Sequence, residues 1–313
     1  MKKAALIVIA ILLVFLPLFP VDAAQACMSG ACVFVRSVLP SLLPFMIAAG
    51  TFCRLAADSA FLGRFSPLME SLFRLPGTAV VPFLSGLLCG NPVAAQQTAQ
   101  LCRDGRLTPR QAGHCAAVSS FVSPGFLFGT IGTLLSPQTN ALFPIAAGHY
   151  LGAFLTGIIL CRLPKRKSEN SPIKKEPSMR VRSLSPMQAF ADSAAAASRA
   201  LPMIGVLLCF FAVVQQMIEK TGRISSGTLS TAALYAALEL SGGCAALFTV
   251  PVALPLRNGL LSAALSFGGL CIFCQNALFL QPCGVRMRPL FPARILHALI
   301  AFAVAFALSL LFV

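Results

Sequence analysis

One carboxylate stands alone in an apolar run. Glu239, followed by Ser241, Gly242 and Gly243, interrupts the stretch from Thr228 to Leu256. A charge at bilayer depth costs roughly 2.5–3.5 kcal/mol on insertion scales, so such a group faces a cavity or a partner. The chemistry open to Glu239 is coupling of a proton or cation, hydrogen bonding to a polar solute, or capping of a broken helix. A second apolar stretch, Gly77 to Leu101, is interrupted by Ser85-Gly86 and by Gly90-Asn91-Pro92. Proline suits the first turn of a helix, and the N–H groups exposed there attract anions. Asn91 adds a side-chain amide, and Gln96 and Gln97 follow one turn later. Gln275 and Asn276 lie inside another apolar segment. Amides in such places bind a polar solute or tie helices together. The candidate solute contacts are therefore Gly90, Asn91, Pro92, Gln96, Glu239, Ser241, Gly242, Gly243 and Gln275.

Other polar residues read more plainly. Ser119, Ser120, Ser123 and Pro124 break a further apolar segment, where serines can satisfy carbonyls freed near the proline. His149 and His297 sit on apolar segments and read as hydrogen-bonded packing residues. Cys271 and Cys274 form an isolated C-x-x-C without a second pair, which is weak support for a zinc or redox site. No nucleophile stands beside a base and there is no Walker loop. No metal ligand set is complete. The sequence therefore gives no support for an enzyme, a cofactor or a metal.

These residues must be positioned by membrane helices. The chain has 313 residues, 57% hydrophobic and 11% charged, with a mean hydropathy of +0.84. That excludes an ordinary soluble domain and points to an all-α polytopic membrane protein. A span needs about 20 apolar residues. Seven stretches qualify: Ala4–Val21, Ala31–Cys53, Ala112–Thr133, Ala141–Cys161, Arg199–Ile218, Asn258–Leu280 and Phe291–Val313. The two interrupted stretches are additional. Backbone that leaves a helix inside lipid is tolerated only where protein or a watery cavity surrounds it. A matched pair of such breaks, one per half, marks the solute site of many transporters.

Charge gives the topology. The net charge is +15, but the basic residues lie in short loops between apolar segments. That is the pattern of cytoplasmic loops rather than of a nucleic-acid face. With Lys2 and Lys3 inside, Asp22–Gly30 is an outside loop free of Lys and Arg. Met1–Val21 reads as a retained span rather than a cleaved signal peptide. Basic segments flank Gly77–Leu101 on both sides, so that stretch is expected to enter and leave on one face as a re-entrant hairpin. On this map only Arg36, Lys220, Arg223 and Arg257, of 24 basic residues, lie near the outside. The chain divides into a first span and outside loop (1–30), a first repeat (31–161), a basic cytoplasmic linker (162–186) and a second, inverted repeat (187–313). Each repeat runs span, re-entrant hairpin, span, span. Arg36-Ser-Val-Leu-Pro40 and Arg199-Ala-Leu-Pro202 echo each other at the two openings.

Several motifs in order carry a family resemblance. They are Phe19-Pro20, Leu39-Pro-Ser-Leu-Leu-Pro-Phe45, Gly90-Asn-Pro-Val-Ala-Ala95, Leu107-Thr108, His149-Tyr-Leu-Gly152, Glu239 before Ser-Gly, and Ser266-Phe-Gly-Gly-Leu270 with Gln275. Together they resemble the bacterial sporulation integral membrane proteins with two Gate (nucleoside-recognition) domains, the family of the stage V dipicolinate transporter. The resemblance implies a multi-pass protein of a bacterial cell membrane, with the outer forespore membrane as one location, that moves a small polar or anionic solute. Dipicolinate during spore formation is the leading substrate it implies. Asn91, Ala94 and Gln96 stand where that family commonly has Tyr, Gly and Lys. A nucleoside or other metabolite carrier and a non-transporting sporulation scaffold are the alternatives. The expected partners are a small-molecule solute and the lipid bilayer, with no nucleic acid; a homo-oligomer is compatible with the sequence.

Overall fold

The computed structural model describes residues 2–56, 63–135, 139–162, 185–222, 225 and 227–312. Residues 163–184 of the basic linker lie outside the described residues. Every regular element among the described residues is helical. Among the described residues four helical stretches, Leu142–Arg162, Pro186–Lys220, Leu254–Cys283 and Leu290–Phe312, are long and apolar enough to cross a membrane, or up to six if each of two bent helix pairs counts as one. The chain is an all-α, polytopic membrane protein.

Helix α1 (Lys2–Leu18) ends where Pro20 restricts Phe19 and removes an N–H. The chain then bends by 109°. The expected loop at Asp22–Gly30 is instead part of α2 (Pro20–Val33), because Pro20 suits a first turn and Ala23, Ala24 and Ala26 favour helix. A π-helical turn at Phe34–Val38 carries α2 into α3 (Leu39–Ala56). Helix α4 (Ser66–Phe73) precedes a hairpin of α5 (Val80–Cys89) and α6 (Asn91–Arg103). Helix α7 (Pro109–Val118) follows, opened by a Thr108–Gln111 capping box.

The span expected at Ala112–Thr133 is not one helix. It ends at Val118, runs non-helically through Ser119–Ser123, and resumes as a π-helical segment at Gly125–Ile131. Pro124 supplies no N–H and disfavours helix at the residue before it. Helix α8 (Leu142–Arg162) completes the first half.

A second set of helices begins at Pro186. Helix α9 (Pro186–Lys220) is far longer than the expected Arg199–Ile218, because its alanine-rich start continues the helix. A hairpin of α10 (Leu229–Leu238) and α11 (Leu240–Thr249) comes next. Helices α12 (Leu254–Phe267) and α13 (Gly269–Leu280) meet at Gly268 and Gly269, both at positive φ, within the expected Asn258–Leu280 span. Helix α14 (Leu290–Phe312) ends the described chain. In place of seven uninterrupted spans, the structure therefore has long helices mixed with broken ones.

Corresponding helices of the two halves pair antiparallel. Asp22 at the start of α2 bridges Lys220 at the end of α9 at 2.7 Å, while Arg54 Nε near the end of α3 donates to Ser193 Oγ near the start of α9 at 3.2 Å. Likewise Phe143 meets Phe312 with ring centroids 6.1 Å apart, while His297 Nε2 donates to the His149 carbonyl at 2.9 Å. Small residues let α8 and α14 approach closely: a Cβ on Gly152 would lie 3.1 Å from Ala301. The breaks of both halves lie between these two antiparallel pairs.

Candidate functional site

Both interrupted stretches fold back on themselves. In a continuous helix, residues eight apart are separated by about 12 Å. Yet a Cβ on Gly86 would lie 3.1 Å from Ala94 Cβ, across the turn at Gly90. In the second hairpin a Cβ on Gly243 would lie 2.1 Å from Ala236 Cα. Only a glycine lets the two arms of the second hairpin approach this closely.

The turns themselves are built differently. Gly90 adopts φ 83° and ψ −177°, open only to glycine, and a Cβ there would meet Ser123 N at 2.9 Å. Pro92 sits in the first turn of α6, and no side chain caps that helix. At the second turn Glu239 is extended, with φ −145° and ψ 134°. Its carboxylate accepts from the Ser241 and Gly242 N–H groups, both at 2.8 Å. Glu239 is 7% exposed, so these two bonds and the positive end of α11 balance its charge in an apolar surround. Of the chemistries open to Glu239, the geometry displays capping. It also places Ser241 and Gly242 as partners of that carboxylate, not as open contacts for a solute anion.

Each turn packs on a second break of its own half. Gly90 lies against Ser123, and Asn91 Nδ2 donates to Ser120 Oγ at 3.4 Å, within the non-helical Ser119–Ser123 segment. Ser123 Oγ in turn accepts from Phe126 N at 3.2 Å and starts the next helical segment. In the second half a Cβ on Gly269 would lie 3.1 Å from the Leu238 carbonyl and 3.2 Å from Glu239 N. The hairpin turn and the break in the following helix are thus neighbours in both halves.

Buried polar side chains then tie one half to the other. Asn276 Nδ2, on α13, donates to Asn91 Oδ1 at 3.0 Å. His149 accepts from Val122 N at Nε2, 3.0 Å away, so its ring proton sits on Nδ1 and is directed to Ser266 Oγ at 2.9 Å. One imidazole therefore joins the break at Ser119–Ser123 to Ser266, two residues before the break at Gly268. His297 stacks on it with centroids 5.2 Å apart. Asn91, Ser120, His149, Ser266 and Asn276 are all buried. The Asn276 Oδ1 atom is sealed and has no hydrogen-bond partner.

Among the residues singled out from sequence, Gly90, Asn91 and Pro92 stand at one turn, and Glu239, Ser241, Gly242 and Gly243 at the other. Gln275 is buried on α13 beside Asn276, but its own amide reaches back to Cys271 Sγ at 3.4 Å. Gln96 lies apart from the second turn, and its amide donates to the Ala196 carbonyl of α9 at 3.4 Å. The sequence reading passed over His149, Ser266 and Asn276 as site residues. Their signal was present: each is a polar side chain on an apolar segment within a few residues of a break or of another buried polar group.

Comparison with known proteins agrees with this architecture. Residues 39–138 match the family model named Gate, nucleoside recognition. The chain is 24% identical over 306 residues to the sporulation integral membrane protein YlbJ of Bacillus subtilis strain 168, covering 88% of this chain and 75% of that one. No solved structure matches. The matched region contains α3, the first hairpin and the Ser119–Ser123 break. The chain is a multi-pass integral membrane protein that carries a Gate domain and is related to a bacterial sporulation membrane protein.

Proposed function

We propose that this chain carries a small polar or anionic solute across a bacterial membrane, with dipicolinate during spore formation as the leading substrate. One observation carries the reading: two hairpins that break inside apolar stretches each pack against a break in the following helix, and buried polar side chains join the two halves beside them. Irregular backbone at bilayer depth needs a protein or aqueous lining, and paired breaks of this kind serve solute binding in transporters. The relative's description as a sporulation protein supports the timing. The family model's description, nucleoside recognition, favours a nucleoside as the second candidate.

The two turns suggest where the solute lies. The α11 N-terminus already holds an anion, the Glu239 carboxylate, so a solute anion at that turn must displace it. The α6 N-terminus has no side-chain cap. Asn91 and Asn276 flank it with amide groups, and the unsatisfied Asn276 Oδ1 offers an acceptor for a solute hydroxyl or N–H. We place the solute at the first turn, with Glu239 as a gate at the second. On this reading the protein performs no chemical step and holds no cofactor or metal. It works in a cell membrane, including the outer forespore membrane, with a cytoplasmic N-terminus, and a homo-oligomer is compatible with this role. Proteoliposomes containing the purified chain, supplied with labelled dipicolinate or a labelled nucleoside, test it. Saturable flux of dipicolinate supports the leading substrate, flux of the nucleoside alone moves the substrate, and flux of neither sinks the reading.

A further inference from the structure

Arg294 is a buried cation to which the described residues supply no anion. It lies one turn into α14 and is 6% exposed. Among the described residues it makes no hydrogen bond or ion pair. Among the described residues its ionisable neighbours are His149 and His297, neither of which offers it a carboxylate. The buried carboxylate of Glu239 is committed to the α11 N-terminus. Buried charges are ordinarily paired, and a guanidinium presents several donors in a fork that fits a carboxylate.

A second unsatisfied donor stands at the same level. His149, Gly152 and Thr156 share one face of α8, at positions i, i+3 and i+7. Arg294, His297 and Ala301 share one face of α14 by the same spacing. His297 reaches the His149 carbonyl, and Gly152 packs on His297 and Ala301. Continuing that antiparallel register by one turn brings Thr156 level with Arg294. Thr156 is 2% exposed and its hydroxyl has no partner. Among the described residues, a cation and a hydroxyl donor that both lack acceptors lie one turn from the His149–His297 pair.

We infer that Arg294 and Thr156 form a binding site for the carboxylate of a small solute, beside the His149–His297 pair. The transport reading supplies the solute's identity; the binding itself stands without it. A purely structural role is the competing account. Phe291 packs on Phe267 with centroids 5.8 Å apart, so the carbonyl end of α12 is near the start of α14, where a cation is favoured. Such a cation would be indifferent to solute.

The test uses the purified full chain and its R294Q, R294K and T156V variants. Thermal unfolding is followed with dipicolinate, inorganic phosphate and chloride, and dipicolinate flux is measured in proteoliposomes. The expected result is a saturable rise in wild-type Tm with dipicolinate that R294Q loses and R294K partly keeps. The apparent dipicolinate affinity should fall by about tenfold or more in R294Q, and less in T156V. Equal responses in wild type and R294Q overturn the assignment, as does a wild type that answers none of the three anions. A response to phosphate or chloride alone overturns the carboxylate class. Should R294Q not fold, a weakened response in folded T156V supports the site and an unchanged response overturns it. Binding that depends on Arg294 without any flux leaves the site standing and removes the transport reading.

Discussion

The two hairpins solve one problem in two ways. A helix that begins inside an apolar layer exposes N–H groups that lipid cannot satisfy. At the second turn the chain brings its own anion, and both oxygens of Glu239 are bound to backbone N–H groups. At the first turn Gly90 has no side chain, and polar contact comes from Asn91, which reaches sideways to Ser120 and Asn276. The second turn is therefore internally complete in charge, while the first leaves the positive end of α6 without an anion. Equivalent places in two similarly ordered halves can thus differ in electrostatics while sharing a backbone plan. That asymmetry separates a site that can accept an anion from one that must first release its own.

The largest expected effect comes from closing the space that makes the second hairpin possible. Gly243→Ala would place a Cβ 2.1 Å from the Ala236 Cα, a backbone atom that cannot rotate away. Overpacking of this kind costs about 1–3 kcal/mol and occasionally more. The variant should give little monodisperse protein in detergent, measured by size-exclusion yield and thermal unfolding. Normal yield and Tm would mean that α10 and α11 do not pack as described. Gly86→Ala applies the same insult to the first hairpin, where a Cβ would meet the Ser119 carbonyl at 2.3 Å.

Removing the internal anion should cost less. Glu239→Ala strips the cap from α11 and should destabilise by about 0.5–2 kcal/mol, read as a lower Tm. Glu239→Gln keeps one acceptor oxygen and should recover part of that loss. Flux separates capping from gating. If Glu239→Gln keeps near-native Tm and loses transport, the charge itself matters. If both variants transport normally once folded, Glu239 is a cap alone and the proposed gate falls.

Much of this plan was legible in the sequence. The places of both turns followed from Gly90-Asn91-Pro92 and from Glu239 with its glycines, because glycine, proline and a lone carboxylate have few roles in an apolar run. That the chain is all-helical and crosses a membrane several times was legible from hydropathy. What escaped was set by contacts between distant segments. Nothing local to His149 says that it will face Val122 and Ser266 together, since those partners come from opposite halves. The helical reach of Pro20–Val33 and of Pro186–Lys220 also exceeded what hydropathy shows. Polar residues such as Asp22 and Lys220 are tolerated there because they pair with each other. Arg294 looked like one more positive charge at an inner span end, and only its burial sets it apart.

A smaller effect is expected at the tie between the halves. Asn276→Ala removes the donor to Asn91 Oδ1 but also removes an unsatisfied Oδ1 of its own. These changes oppose each other, so the net loss should be about 1 kcal/mol. Folded Asn276→Ala protein should bind the solute more weakly if the first turn is where it sits. Unchanged affinity would detach Asn276 from the site.

The sharpest test of the contrast is the gentlest change. Asn91→Asp gives the first turn what the second already has, a carboxylate at the start of the new helix. The side chain keeps its shape and still accepts from Asn276, while Ser120 can donate its hydroxyl in place of accepting. A negative charge in the first turn of a helix is favoured by about 0.3–1 kcal/mol, which offsets part of its burial. Tm should therefore change little. Flux of an anionic solute should fall steeply because its place is occupied, and flux of any neutral solute the protein carries should be spared. Equal loss of both would point to a general defect in the hairpin. Undiminished anion flux would show that the two turns do not differ in function as they do in charge, and the solute would have to be sought beside Arg294 alone.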